Sequence, residues 1–555
     1  MIHVKRAWRY ARDVASAKIL TNDLVRLQCE RSLRWRAEAR ALGYRFDAKK
    51  AERAASFISV FPHTKGALAR SGKPLRLEGW QCFFICMIFG WVHAKTKLRV
   101  IRRARLYVAR KNGKSDLAAR LGLYMLTEDG EYAPEVYCGA TSEAQALEVF
   151  RPALRMTKKV AAFREYYDVE AMASSIVTHG DDGFFQRIIG KPGDGASPHC
   201  AITDEYHEHA DDSQLNTMET GMGARQQPLS LVTSTAGETI GGPCYNDWLD
   251  LMSVLTGATQ DDELFGLVYA ADPEDDWQSE EALHKANPNF GVSVGADFLR
   301  AKQSQAVTAA RKQGPFKTKH LNMWVGALDG YFNIEEWRAC CDTELMLESL
   351  AGREAWIGLD LASKRDIAAM QLLIDIGGGR YACFGKHYLP EDGEFGSNAE
   401  RYKGWSIDGW MTRTEGNVID FEHIEENLNN LLSDFQVKSV GYDPSEANYF
   451  ATRMLKFGAP MVEFRQSVVN MTDPMKSLDA LIASGRLSHP GDPCMEWQMS
   501  NVVARENRKG QVYPNKARNE NKIDGPVALI MAVGLAQVEE EDQDSVYETR
   551  GVLVI

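Results

Sequence analysis

The chain has 555 residues, 44% of them hydrophobic and 25% charged, an ordinary globular composition long enough for two or more domains with their own cores. Its net charge of -11 gives no global sign of nucleic-acid binding, although a basic face can sit inside an acidic total. Ten cysteines without a CxxC pair speak against a secreted disulfide framework, and no apolar run approaches membrane-spanning length, so a cytoplasmic protein is expected.

Residues from Trp8 to Ala55 are rich in Ala, Arg, Leu and Glu without proline, which predicts a helical N-terminal extension over 1–60. The run "LEGWQCFFICMIFGWVH" predicts an apolar helix capped by Glu78. Alternation from Ala104 to Val108 predicts a short strand, then a turn at Lys111-Asn112-Gly113, then a helix from Ser115 to near Gly130. Further strands are expected in "PEVYCGA", in "CAITDE" and in "PLSLVTSTAG". This alternation of strand and helix predicts a mostly parallel sheet covered on both faces, over 61–245. Beyond it the chain turns acidic ("ADPEDDWQSEE"), and 246–350 are assigned to a lid or linker subdomain. A second α/β unit is expected over 351–540, with strands ending at Asp360 and Asp443 and an apolar helix starting at Asp524. An acidic, then apolar tail (541–555) follows.

Gly113-Lys114-Ser115 at a strand-to-helix junction is the tail of a phosphate-binding loop, where free helix N-terminal amides face an anion. In such a loop the lysine reaches the β- and γ-phosphates and the serine hydroxyl coordinates Mg²⁺. The usual first glycine is replaced by Val108, so the motif alone also fits a basic surface turn. Asp204-Glu205 at the end of "CAIT" shifts the balance. Such a pair supplies a carboxylate for the Mg²⁺ shell and a base to orient the attacking water.

With these motifs in this order, the chain resembles the large terminase subunit of tailed double-stranded DNA bacteriophages. The resemblance rests on "ARKNGKS" with Arg110, on "ITDEYHEH", on "TSTAG" and on "GWQCFFICMIFGW". It implies an ATP site formed by Arg110 to Ser115 with Asp204, Glu205 as the catalytic carboxylate, and Gln81 as a reader of the base. It also implies a coupling motif at Thr233, Ser234 and Thr235. In a ring motor an arginine from the neighbouring subunit completes the site. Arg225, in the family-like "GMGARQQ", and Arg187 are the candidates, with Arg225 preferred.

Asp360, Asp443 and Asp524, on two strands and a helix, are what a two-metal phosphodiesterase needs: carboxylates holding two Mg²⁺ or Mn²⁺ about 4 Å apart. Helix capping or turn chemistry is the bland alternative for each. The segments "GLDLASKRD", "YDP" and "KIDG" resemble the RNase H-like nuclease of the same family. Asp366 is expected to be a solvated turn residue ahead of an auxiliary acid, and Glu446 or Asp366 stands next in line should Asp443 not be the middle acid. His207 and His209 are expected near a helix start, as surface or supporting groups. Arg505, Arg508, Lys509, Lys516, Arg518 and Lys522 are expected to face DNA phosphates beside these acids.

The fold expected is therefore a P-loop ATPase with a linker subdomain followed by an RNase H-like nuclease. The resemblance further implies ATP-driven translocation of double-stranded DNA into a procapsid and cutting of concatemers. It implies a homo-oligomeric ring, commonly a pentamer, docked on the portal protein in the host cytoplasm, with a small terminase subunit choosing the DNA. Two rivals stand beside it: a helicase-nuclease, which needs a second motor domain not found in the sequence, and a non-catalytic DNA-binding adaptor.

Overall fold

The computed structural model describes residues 1–543 apart from 66–68, 71–73, 191–194, 241, 326–329, 362–366, 393–397, 507–509 and 517–520. The chain divides into two compact units, Met1–Val325 and Gly326–Ile555.

The first unit begins with helices Ile2–Ala15, Asp23–Glu38 and Ala48–Val60, and a small pair of strands, β1 (Tyr44–Phe46) and β2 (Trp91–His93). They pack around the helix Gly79–Gly90, in which all residues from Trp80 to Gly90 are buried. A helix apolar on every side has to lie inside the protein.

Its main sheet uses β3 (Arg103–Val108), β4 (Glu135–Ala140), β5 (Val169–Ala171), β6 (Ser175–Thr178), β7 (Phe184–Ile189), β8 (Cys200–Asp204), β9 (Leu229–Ser234) and β10 (Leu264–Tyr269). Their order is β10-β3-β9-β8-β4-β7-β6-β5. All pairs from β10 to β7 are parallel, and β6 and β5 add an antiparallel edge. Every residue of β8, β9 and β10 is buried, the pattern of central parallel strands covered on both faces. The expected boundary at 245/246 is corrected here. It falls inside the helix Pro243–Thr256, and β10 pairs with β3 in register from Leu264↔Arg103 to Tyr269↔Val108. Acidic flanks on "LFGLVY" hid a buried strand. The segment also supplies helices Glu280–Ala286, Ala296–Val307 and Ala310–Leu321, packed around Trp277 and Phe316.

In the second unit β11 (Glu354–Asp360), β12 (Ala368–Asp375) and β13 (Tyr381–Pro390) form an antiparallel meander. β14 (Met411–Thr414) lies parallel to β13, while β15 (Gln436–Tyr442) and β16 (Met461–Glu463) continue parallel on the other side of β11. A two-residue strand, β17 (Leu487–Ser488), adds to β13. The hairpin β18 (Val502–Glu506) and β19 (Val512–Lys516) occupies the region expected to be a basic DNA-facing run. Arg508, Lys509 and Arg518 lie outside the described residues, as does the side chain of Arg505.

The helix Asp524–Gln543 crosses β11 at Gly358, where an added Cβ would lie 1.9 Å from the Ala528 carbonyl oxygen. Only glycine permits that approach. No described helix is long and apolar enough to cross a membrane.

Candidate active sites

In the first unit the phosphate loop follows β3, Asp204-Glu205 ends β8, and Thr233-Ser234 ends β9. These are three adjacent strands, so all the chemistry meets at their carboxyl ends, where open parallel sheets bind ligands. A cleft of about 950 Å³ is lined there by Arg110–Leu117, Gln81, Glu205 and Asn289, among others. Gly113 (φ 90°) and Lys111 (φ 75°) are left-handed and turn the chain into the helix Lys114–Thr127. Glu205, at φ 51°, is left-handed too, a conformation costly for a side-chain-bearing residue and typical of strained functional positions.

Lys114 Nζ lies 2.9 Å from Glu205 Oε1. Ser115 Oγ donates to Asp204 Oδ2 at 2.7 Å and Thr233 Oγ1 to Asp204 Oδ1 at 2.6 Å. Burial, with Glu205 second, lifts the Asp204 carboxyl above its ordinary range. For Glu205, burial acts upward but is outweighed by Lys114, His207 and Arg110, which hold its carboxyl low. Lys114, Ser115, Asp204, Glu205 and Thr233 thus form one contiguous cluster. Gln81 lines the cleft, and its Oε1 accepts from the Glu78 N–H at 2.9 Å, which commits the carbonyl half of its amide.

Two further features complete the site: His207, expected only as a surface or supporting group, and a contact that the sequence did not show. His207 is tied to both sides of the site: its N–H donates to Ser234 Oγ at 3.0 Å, and its Nδ1 lies 3.1 Å from Ser234 Oγ and 3.4 Å from Glu205 Oε2. The second is a clasp on the phosphate loop. Asn289 donates from its backbone to Asn112 Oδ1 and from its side chain to the Asn112 carbonyl, both at 3.0 Å. Asn112 Nδ2 donates to Asn287 Oδ1 at 2.9 Å, Trp80 Nε1 to Asn289 Oδ1 at 2.8 Å, and Ser293 Oγ to the Lys111 carbonyl at 2.9 Å. Asn112, Asn287 and Asn289 are buried, so each bond removed strands a polar group at a cost of about 1–3 kcal/mol. Asn289→Ala is expected to weaken nucleotide binding at least tenfold in an equilibrium titration. Unchanged affinity would remove the clasp from the account of the loop.

Arg225 does not suit the role expected of it. Its guanidinium is spent within its own chain on the carbonyls of Ser197, Tyr132 and Ala133 and on Glu131 and Glu135. These groups and Arg225 itself precede or begin β4, β8 and β9, so they sit at the end of the sheet opposite the phosphate loop. Arg187, on β7, pairs with Glu143 at 3.1 Å.

In the second unit Asp360 ends β11 and Asp443 directly follows β15, parallel neighbours with Leu359 opposite Tyr442. Gln466 bridges them, its Nε2 donating to Asp360 Oδ1 at 2.9 Å and its N–H to Asp443 Oδ2 at 2.8 Å. Asp443 also caps the helix Pro444–Lys456 through the Ser445 N–H at 2.8 Å, so capping and proximity to Asp360 coexist. Burial acts upward on the Asp443 carboxyl, but its hydrogen bonds from Ser445 and Gln466 keep it low. Burial, then the charges of Asp360 and Asp443, push the Tyr513 hydroxyl up.

Asp524 comes from the helix. Asp360, Ala369 and His387 form one row across the sheet. An added Cβ on Gly525 would lie 3.0 Å from His387 Cε1, so the helix start sits over that row. Among the described residues, ligand oxygens of Asp360, Asp443 and Asp524 do not all lie within 4.8 Å of one another. Asp366 lies outside the described residues, as does the side chain of Glu446. The donor sets fit their expected ions: a hydroxyl and a carboxylate in the first unit, three carboxylates in the second, all hard oxygens suited to Mg²⁺ or Mn²⁺.

Comparison with known proteins adds the following. The family model for the terminase large subunit, endonuclease domain, matches residues 258–540, and that for the terminase large subunit, ATPase domain, matches 79–250. The protein YmfN of Escherichia coli K12 is 41% identical over 374 residues, covering 65% of this chain and 82% of its own. The terminase large subunit of Enterobacteria phage HK97 is 25% identical over 508 residues, covering 89% and 97%. The crystal structure of the HK97 large terminase aligns at 24% identity over 88% of this chain and 99% of its own, with a TM-score of 0.43. The endonuclease match begins before β10, a strand that folds into the first unit's sheet.

Proposed function

This chain belongs to the terminase large-subunit family, with its ATPase and endonuclease domains, and from that premise we propose how its residues divide the work of DNA packaging. ATP binds in the cleft beside the phosphate loop and its hydrolysis drives double-stranded DNA into a procapsid; the second unit cuts the concatemer. The chain acts as a ring on a portal protein in the host cytoplasm, with a small subunit selecting the DNA.

The observation that carries the motor reading is the Lys114–Glu205 pair beside the Asp204–Ser115 pair. A nucleotide phosphate competes for Lys114 and releases Glu205, whose carboxylate, still held down by His207 and Arg110, can orient water. Ser115 and Asp204 hold Mg²⁺, which neutralises phosphate charge when bound. Thr233 fixes the Asp204 carboxylate. His207, between Glu205 and Ser234, passes the state of the site to the Thr233-Ser234-Thr235 segment. Arg225 is bonded to carbonyls and carboxylates of its own chain, whereas Arg187 has a single ion pair, with Glu143, to give up, so of the two candidates Arg187 is assigned to a neighbour's site.

In the second unit Asp360, Asp443 and Asp524 would hold two divalent cations, which would supply water activation and charge stabilisation at the leaving oxygen. Gln466 keeps the first two carboxylates in register.

The test is DNA-stimulated ATPase activity followed by cutting of supercoiled plasmid with Mn²⁺; a chain inactive in both assays overturns the reading. Glu205→Gln is expected to bind ATP with nearly unchanged affinity and hydrolyse it about 10²–10⁴-fold more slowly, the usual contribution of a positioned general base. Loss of binding with it would mean that Glu205 holds the nucleotide instead.

A further inference from the structure

Among the described residues, one group of three potential metal ligands lies within 4.8 Å of one another: His387, Asp492 and Cys494, all buried. Its hydrogen bonds read in one direction only. The Gly525 N–H donates to Gln498 Oε1 at 2.8 Å, which fixes the glutamine amide. Gln498 Nε2 must then be the donor to His387 Nδ1 at 3.1 Å. With Nδ1 accepting, the His387 proton sits on Nε2 and is donated to Asp492 Oδ2 at 2.8 Å. Asp492 Oδ1 accepts from the backbone N–H groups of Cys494 and Met495. The ring nitrogen facing Asp492 carries a proton, so these lone pairs serve a relay and not a metal ion.

The relay ends one residue from Asp524. The helix Pro493–Asn501 holds that position from both sides, since Asn501 Nδ2 donates to the Lys522 carbonyl at 3.2 Å and Gln498 receives the Gly525 N–H. Gly525 is wedged as well. An added Cβ would stand 2.8 Å from Met495 Sδ and 3.0 Å from His387 Cε1. First-turn N–H groups of a helix are ordinarily satisfied by solvent or a local cap. Here a glutamine with no exposed surface takes one of them.

We infer that Asp492, His387 and Gln498 are positioning residues for DNA cleavage, a buried relay that sets the first turn of the Asp524–Gln543 helix and with it the Asp524 carboxylate. This rests on the reading of Asp524 as a metal ligand. Partners that orient a ligand typically control metal affinity by about 10–100-fold.

The experiment is Mn²⁺ titration of the full-length chain by calorimetry, with Asp360→Asn defining the heat that belongs to the nuclease acids. Gln498→Leu is expected to lower Mn²⁺ affinity about 10–100-fold and raise the Mn²⁺ needed for half-maximal cleavage, with ATPase activity unchanged. Gln498→Glu keeps an acceptor for Gly525 but loses the Nε2 donor to His387 Nδ1, so it is expected to recover only part of the affinity. Gly525→Ala, whose methyl displaces the helix start, is expected to reproduce the loss if Gln498→Leu does not fold. If Asp524→Asn loses Mn²⁺ affinity while Gln498→Leu and Gly525→Ala bind like the parent, the relay is overturned and the Asp524 reading stands. If Asp524→Asn binds like the parent, the Asp524 reading falls and takes the relay with it. Stoichiometric zinc in the purified chain, lost in His387→Gln, also overturns it.

Discussion

Replacing Lys114 by alanine is expected to abolish ATP hydrolysis, by at least about 10²–10³-fold, the scale of losing one preorganised charge at a reacting centre. The ammonium is nearly buried, with 7% of its side chain exposed, and its partner is Glu205. Two things fail together in the variant. The phosphates lose their cation, and Glu205 loses the foremost of the groups that hold its carboxyl down against burial. The sign of the linkage follows: a depressed folded pKa stabilises the protein at neutral pH, and that contribution fades as the pH falls through the folded value. Lys114→Ala should therefore depend less on acid pH in its stability than the parent does. Nucleotide titration, steady-state hydrolysis and melting against pH check this. Metal-dependent cutting of naked plasmid should survive, and full ATPase activity would sink the phosphate-loop assignment.

The parts of this site that could be read in the sequence are those whose chemistry sits in short contiguous runs at strand ends. Gly113-Lys114-Ser115, Asp204-Glu205 and Thr233-Ser234-Thr235 are each local, and the parallel order β3-β9-β8 alone brings them side by side. The clasp was not readable, because Asn112 and Asn287 are 175 residues apart and an Asn-Pro-Asn run looks like any turn. Gln466 escaped for the same reason, 106 residues from Asp360. Arg225 misled because an arginine in a turn has the same local pattern whether it faces a neighbour or its own chain. Only the carbonyls of Ser197, Tyr132 and Ala133 show that it is spent. β10 was missed because the acids around "LFGLVY" outweighed its six buried residues in a reading by composition.

Asp360, Asp443 and Asp524 are expected to act as one unit, so that changing any of them removes most of the cleavage, about 100-fold or more, and not a third of it. Ligands that share a metal pair are non-additive, since both ions depend on the same geometry. The substitution has to be chosen with the structure in mind. Asp443 also caps the helix Pro444–Lys456, so alanine there would mix loss of a ligand with loss of about 1 kcal/mol of helix stability. Asparagine caps as well as aspartate but carries no charge, so Asp443→Asn separates the two effects. It should leave the melting temperature close to the parent's while linearisation of supercoiled plasmid fails. Asp360→Asn should keep its contact with Gln466 Nε2 and still lose cutting. ATP hydrolysis should persist in every one of these variants, because the motor's Mg²⁺ is assigned to Ser115 and Asp204. Cutting should need Mg²⁺ or Mn²⁺, fail in Ca²⁺ and weaken steeply with salt as phosphate contacts are screened. If Asp443→Asn cuts like the parent, its bonds to Ser445 and Gln466 are purely structural, and the second unit must draw its middle ligand from another acid near Asp360.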